Sequence, residues 1–343
     1  MSNTSIRVAV VGVGEFGRNH VRVWKELEGA ELVGVVDANL ERARAIAAEF
    51  STQVLADLDA LAAQKVDAVS LAVPTKQHAP IGCRLLEAGH DVLVEKPMAA
   101  SLDEADQLIA SATRAKRILQ VGHVERFNPA VDAAKSVTVR PMFFEVHRLG
   151  IFTPRSLDID VVYDVMIHDL DILLALVDAP VVDLKAVGIP VITDKVDIAH
   201  ARVEFSTGAV ANVTASRVST ERVRKMRFFQ EHEYISLDFA RQDVLRIRVQ
   251  PGNAPQPGNG ASAVPQAAAM PNIGFEKVPA APEEPLRAEL RAFLECVRTR
   301  KTPLVDGAAG RRALELADRV MAGILEHARR VQLTAFAPLN STL

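Results

Sequence analysis

The order of apolar and polar positions changes period near Gly122. Before it, short and almost unbroken apolar runs occur at Ile6–Val11, Glu31–Asp37, Ala68–Val73, Val92–Val94 and Ile118–Val121. Helix-period segments lie between them, among them Glu41–Phe50, Ile81–Ala88 and Asp103–Lys116. Strands that are apolar on both sides must be covered on both faces, and alternating βα units cover them with helices. The pattern predicts an α/β fold, a doubly wound parallel sheet over residues 1–122. After Gly122, FFEVHRLGI (143–151), AHARVEFSTGAVANVTASRV (199–218) and MRFFQEHEYISLDF (226–239) alternate with period two. Turns such as Ser206-Thr207-Gly208 join them. They predict an open, largely antiparallel sheet in a second, α+β domain spanning 123–343, with YDVMIHDLDILLAL (163–176) a helix set within it.

Two amphipathic helices close the pattern. Leu286, Leu290, Phe293, Leu294 and Val297 line the first, and Leu314, Ala317, Val320, Met321, Ile324 and Leu325 the second. Ahead of them, residues 251–275 carry no charge and 251–285 hold eight of the eighteen prolines. That composition reads as a long, irregular, mobile loop.

Composition narrows the function classes. A length of 343 residues exceeds what one core usually supports, so two domains are expected. Forty basic and forty-three acidic residues give a net charge of −3, which argues against a nucleic-acid binder. The local basic stretch RVSTERVRKMR (217–227) reads as a solvated strand face. Cys83 and Cys296 have no metal-ligand spacing and sit among apolar helical residues, as small buried side chains do. No secretory apolar region opens the chain and no run approaches eighteen apolar residues, so a cytoplasmic location is expected.

Candidate chemistry begins with VGVGEFG (11–17). Gly12, Gly14 and Gly17, with Glu15 and Phe16 between them, follow the first strand directly and open a helix. Asp37 lies twenty residues after Gly17, at the end of the second strand. Glycines there let the backbone approach a pyrophosphate at a helix N-terminus, and the acid accepts from a ribose 2′-hydroxyl. The carboxylate also repels a 2′-phosphate, which favours NAD over NADP; Arg42 and Arg44, a turn later, weigh the other way. An ordinary glycine turn is the plain alternative.

LAVPTKQH (71–78) and LVEKPMAA (93–100) each end a strand at the C-terminal edge of the sheet, where ligands of such sheets bind. They bring Val73, Pro74, Thr75 and His78, then Glu95, Lys96 and Pro97, as candidate contacts to the cofactor. Lys96 is either a surface lysine or, if buried, a charge in need of a partner. His123, Arg126 and Asn128 leave the last strand at the same edge and, with Lys96, Arg155 and His168, are the candidates to bind a substrate. Arg126 suits an anionic substrate or an interdomain ion pair. Arg148 and Arg155 flank GIFTP and are candidates for a diphosphate, while His147 reads as structural.

Asp164, His168 and Asp171 in YDVMIHDLD are spaced four and three apart, which stacks them on one face of a regular helix. A metal site, an acid–base pair and a structural polar cluster all fit that row. One imidazole and two carboxylates are a poor zinc set, so no metal is expected.

A glycine motif, an EKP after a sheet strand and a D-x-x-x-H helix, in that order, resemble the Gfo/Idh/MocA family of sugar and cyclitol dehydrogenases. The likeness covers almost the whole chain except the Pro/Ala-rich loop. It implies a Rossmann NAD domain, with Lys96, Asp164 and His168 meeting at the nicotinamide. It also implies Glu95 beside the nicotinamide ribose and a cis Lys96–Pro97 bond. Lys96 then donates to the reacting oxygen, His168 takes the hydroxyl proton, Asp164 orients or charge-stabilises the imidazole, and Asp171 stands behind. Within the family, VGHVERFNPAV (121–131), VVYDVMIHDLDI (161–172) and ANVTASRVS (211–219) are similar to the nucleotide-sugar dehydrogenases of lipid A biosynthesis. Those oxidise the 3-hydroxyl of UDP-N-acetylglucosamine and feed an aminotransferase. A homodimer or homotetramer built on the second sheet is implied as well. The chain departs from many members in having Asp160-Val161-Val162-Tyr163 where they have glycines, which puts the entry to the helix in question. From a different class, a cofactor-binding regulator without turnover remains the alternative.

Overall fold

The computed structural model describes residues 5–153, 159–250 and 272–333. Its first part runs β1 (Ile6–Val11), α1 (Glu15–Glu26), β2 (Ala30–Val36), α2 (Leu40–Glu49), β3 (Gln53–Val54), α3 (Asp59–Ala63), β4 (Ala68–Leu71), α4 (His78–Glu87), β5 (Asp91–Glu95), α5 (Leu102–Ala115) and β6 (Leu119–Gly122). These strands form one parallel sheet in the order β3-β2-β1-β4-β5-β6. The order reverses between β1 and β4, and there the crevice opens at the C-terminal edge. The helices start where side chains cap them. Asn39 accepts from Arg42 N at α2, and Ser101 accepts from Glu104 N at α5 while Glu104 accepts from Ala100 N.

The second part holds α6 (Pro129–Val137), β7 (Phe143–Leu149), α7 (Ile167–Val177), β8 (Val181–Ile189), β9 (Ile198–Phe205), β10 (Val210–Ser216), β11 (Val223–Gln230), β12 (Glu233–Asp238), β13 (Asp243–Gln250), β14 (Asn272–Val278), α8 (Pro285–Thr299) and α9 (Gly307–Arg330). Its eight strands order as β14-β13-β12-β11-β7-β10-β9-β8. The sheet is mixed, because β7 and β10 pair in parallel while the other neighbours are antiparallel. Part of the stretch read as an irregular loop is regular: β14 pairs with β13 from Val244↔Val278 to Gln250↔Asn272. Residues 251–271 lie outside the described residues.

One face of this sheet is buried. Val244, Leu237, Met226, Val146, Val213, Ala201 and Ala186 meet in register across seven strands, under α7 and α9. The division at residue 122 separates the sheets but not the cores. Leu290, Phe293, Leu294 and Val297 of α8 belong to the cluster of β1 and α1, and Trp24 meets Phe293 edge-on at 6.4 Å. Val305, Ala309 and Leu314 join the cluster on the other side of the first sheet. Cys83 and Cys296 are unpaired and half-buried rather than buried. In the basic stretch, Lys225 faces solvent as expected, whereas Arg217 is buried on Asp197. No helix among the described residues is long and apolar enough to cross a membrane.

Candidate active site

At the glycine turn, backbone meets backbone. Gly12 has φ +85°, and a Cβ there would lie 2.6 Å from the Ala72 carbonyl oxygen. A Cβ on Gly17 would lie 1.9 Å from the Gly12 oxygen. Gly14 has open space, and as the N-cap of α1 it leaves that helix end without a side-chain cap. Bare amides at a clear helix N-terminus fit a pyrophosphate. Glu15 and Phe16 flank them on the exposed side. Asp37 closes the turn, accepting from Val13 N at 2.8 Å, from Asn39 N at 2.8 Å, and from both ends of the Arg42 guanidinium. Burial works to raise its pKa, but these bonds outweigh it and hold the carboxyl below its ordinary value. The residues present therefore fit a dinucleotide, with Arg42 standing beside the acid.

Val73 and Pro74 follow β4, and Thr75 opens a short turn at Thr75–Gln77. His78, expected at the cofactor, is buried instead. Its ring nitrogens lie 2.8 Å from the Pro97 carbonyl and 2.9 Å from the Val73 carbonyl, so it braces two loops at the sheet edge. Pro97 follows a cis bond from Lys96.

Lys96 is not a surface lysine. Its side chain is 8% exposed, and Nζ donates to the Asp164 carbonyl at 2.6 Å and to Asp164 Oδ1 at 3.1 Å. The contact joins the end of β5 to the entry of α7. That entry, Val162–Met166, is a π turn rather than regular helix. A wider turn changes the phase of the side chains it carries, so Asp164 meets Lys96 and makes no hydrogen bond to His168. Tyr163 fixes the turn by donating to Asp318 Oδ1 at 2.7 Å, and Asp160 accepts from Val196 N at 2.8 Å. The glycine-less entry thus has its own anchors.

His168 is half-buried, with Nδ1 buried and without a hydrogen-bond partner. Burial, then the positive charges of Lys96 and Arg148, push its pKa well below 6.5. It stands as a neutral imidazole, ready to accept a proton. Glu95 is half-buried, its side chain 12% exposed, and desolvation alone would raise its pKa. The bond from His20 Nε2 at 2.9 Å and the charge of Lys96 hold it down. Gly122 gives Glu95 its room, since a Cβ there would meet Oε1 at 2.9 Å.

The remaining candidates divide. Arg126 pairs with Asp171 at 3.1 Å, an ion pair within the second domain rather than an interdomain pair or a free cation. His123 is buried beside His168. Asn128, expected at the substrate, is spent structurally. It caps α6 by accepting from Ala130 N, and it donates to Glu125 Oε2 and to the Phe239 carbonyl. Arg148, weighed for a diphosphate, is locked bidentate on Asp169 and bonded to Glu125, with its guanidinium over the Phe239 ring. His147 lies on the open face of β7, next in sequence to buried Val146. Arg155 lies outside the described residues. Among the described residues no group of His, Cys, Asp and Glu gathers to hold a metal ion.

His20 and Glu289 escaped the sequence reading. His20 lies one turn after Gly17 on the buried side of α1. Glu289 interrupts the apolar stripe of α8 between Leu286 and Leu290, and that signal was readable. It is fully buried with neither carboxyl oxygen partnered. Burial, then the charges of Glu95 and Asp171, raise its pKa well above 4.5.

Comparison with known proteins agrees with this geometry. Residues 6–123 match the oxidoreductase family with the NAD-binding Rossmann fold, and residues 137–235 match the GFO/IDH/MocA C-terminal domain. The UDP-N-acetylglucosamine 3-dehydrogenase of Acidithiobacillus ferrooxidans is 39% identical over 320 residues, 93% of this chain and 97% of that protein. Its solved structure superposes with a TM-score of 0.83 at 38% identity, over 93% of this chain and 97% of that one. An inositol 2-dehydrogenase of Rhodococcus erythropolis is 33% identical over 195 residues, 54% of this chain and 56% of that protein. Levoglucosan dehydrogenase in complex with NADH shares the fold, with a TM-score of 0.81 at 18% identity over 94% of this chain and 98% of that one. The chain belongs to the Gfo/Idh/MocA family of oxidoreductases and is a dehydrogenase that acts on sugar hydroxyl groups.

Proposed function

We propose that this enzyme oxidises the 3-hydroxyl of UDP-N-acetylglucosamine with NAD, and that an aminotransferase consumes the 3-keto sugar on the way to lipid A. The observation that carries the reading is full-length likeness. The 3-dehydrogenase matches over 93% of the chain, whereas the inositol dehydrogenase of Rhodococcus erythropolis matches over about half of it. The nicotinamide, when bound, supplies the hydride acceptor. Lys96 donates to the oxygen of the reacting hydroxyl and opposes the negative charge that builds there. His168, neutral, takes the hydroxyl proton. Asp164 holds the Lys96 ammonium in place. Asp37 selects the cofactor by accepting from the ribose.

We also infer a cytoplasmic homo-oligomer, a dimer or tetramer, formed through the open face of the second sheet. There Phe275, Ile247, Tyr234, Phe229 and Phe143 meet in register across five strands, and Phe275 is 71% exposed.

The test follows the hydride. UDP-N-acetylglucosamine deuterated at C3 should pass its label to C4 of the nicotinamide, read by mass spectrometry of the recovered NADH. Label at C4 of the sugar should stay there. An aminotransferase and its amino donor trap the ketone, because alcohol oxidation by NAD is uphill. Transfer from C4, or none with the trap working, removes the 3-dehydrogenase reading.

A further inference from the structure

An imidazole has two ring nitrogens, and proton abstraction from the sugar uses one of them. The Nδ1 of His168 is buried and bonds to nothing. Beside it stands His123, 1% exposed, with ring centroids 6.2 Å apart and planes at 87°. Neither nitrogen of His123 has a partner. Next comes Asp171 of α7, held at the turn that follows His123 by its 3.1 Å ion pair with Arg126 of that turn. Its Oδ1 accepts from Arg126, and its Oδ2 is buried and unpartnered. Native interiors leave few buried polar atoms unpaired. Here three successive titratable side chains each keep at least one, starting at the imidazole that must lose a proton in every cycle.

We propose that His123 is a proton relay between His168 and Asp171. His168 begins with its proton on Nδ1 and takes the hydroxyl proton on the other nitrogen. It then gives up the Nδ1 proton towards His123. No direct hydrogen bond joins the rings, so one bridging water carries this step. His123 accepts on one nitrogen and releases from the other to Asp171 Oδ2, at the Arg126 end. In the chemical step the sugar loses a hydride to the nicotinamide and a proton that ends on Asp171, and both imidazoles are left as their opposite tautomers. After the products leave, the Asp171 carboxyl gives its proton to water and each ring regains its starting tautomer by proton exchange with water. The groups acting on His123 are His168 and Asp171 of α7, Glu95 and Lys96 at the end of β5, and Arg126 of its own turn. Glu289 of α8 interacts with both Glu95 and Asp171.

The relay rests on His168 as the proton acceptor, and the test separates the two. His123→Gln keeps a donor, an acceptor and similar bulk but cannot carry a proton. In the full-length enzyme it should lower kcat roughly ten- to hundredfold, raise the solvent isotope effect on kcat, and leave KM and NADH affinity unchanged. Added imidazole should restore turnover to His123→Ala. A second readout needs neither cofactor nor substrate. In nitrogen-15 spectra of histidine-labelled protein, exchange of the His168 Nδ1 proton with water should slow in His123→Gln. Unchanged proton exchange, or an unchanged kcat and solvent isotope effect, overturns the relay. Full turnover in His168→Ala removes acceptor and relay together. An inactive His168→Ala beside an unimpaired His123→Gln removes the relay alone.

Discussion

Lys96→Met isolates the charge at the junction of the two sheets. Methionine keeps most of the stem, so the change removes the ammonium and its two bonds to Asp164 at 2.6 and 3.1 Å. Turnover should suffer most. A single preorganised donor to a developing oxyanion contributes about 3 kcal/mol, so kcat should fall about a hundred- to thousandfold. Stability should suffer less. Asp164 loses its cation, but its side chain is 28% exposed, so water recovers part of the charged hydrogen bond and the loss should be about 1.5 kcal/mol. A third effect has a definite sign. After burial, Lys96 is the largest influence depressing the His168 pKa. Its removal lets that pKa rise towards 6.5, so the acid limb of the rate profile should move to higher pH. The assay is ketone-trapped NADH formation across the pH range, with NADH affinity from calorimetry as the control for intact cofactor binding. A kcat within tenfold of the wild type, or an acid limb that stays or moves to lower pH, refutes the assigned role.

Wild-type enzyme should bind NADH more tightly than NADPH. Asp37→Ala should narrow the gap by removing the repelling carboxylate and freeing Arg42 for a 2′-phosphate, and equal wild-type affinities by calorimetry would end that argument. Glu289 binds its proton more tightly when folded than when unfolded, so its stabilising contribution is present below its ordinary value of 4.5 and is lost as pH rises towards the folded value. The melting temperature of Glu289→Gln should therefore gain on the wild type as pH rises above 4.5, and a difference independent of pH would contradict the buried neutral acid. Phe275→Asp should shift the enzyme towards monomer in analytical ultracentrifugation without unfolding it, and an unchanged oligomer would place the interface elsewhere.

The first sheet was legible because strands buried on both faces leave little choice of residue. β3 escaped because two residues make no pattern. In the second domain, β8 reads VVDLKAVGI with much of its length exposed, and β14 follows a proline-rich stretch that hides Ile273 and Phe275. The motifs marked Lys96, Asp164 and His168, but their spacing assumed regular helix, and the π turn changed which of them meet. Asn128 and Arg148 misled for a general reason. An amide that suits a ligand also caps a helix, and a guanidinium that suits a diphosphate also grips a carboxylate. His20 and Gly122 act on Glu95 from elements far apart in the chain, a relation no local pattern carries.

The packing of α8 on α1 also sets a clock for synthesis. Arg22 and Glu284 form an ion pair across 262 residues, and Trp24 waits for Phe293 over a similar span. Translation at about 5–20 residues per second takes roughly 13–50 s to cover that separation. For that time the nascent nucleotide-binding half presents an unfinished apolar flank, which the ribosome can cover only by delivering the last helices. A product stopped before residue 285 would lack more than the second sheet's supporting helix. Its cofactor half would carry Trp24, Val21 and Leu27 without the helix that seals them. Premature termination should therefore yield material for quality control rather than a free dinucleotide-binding module.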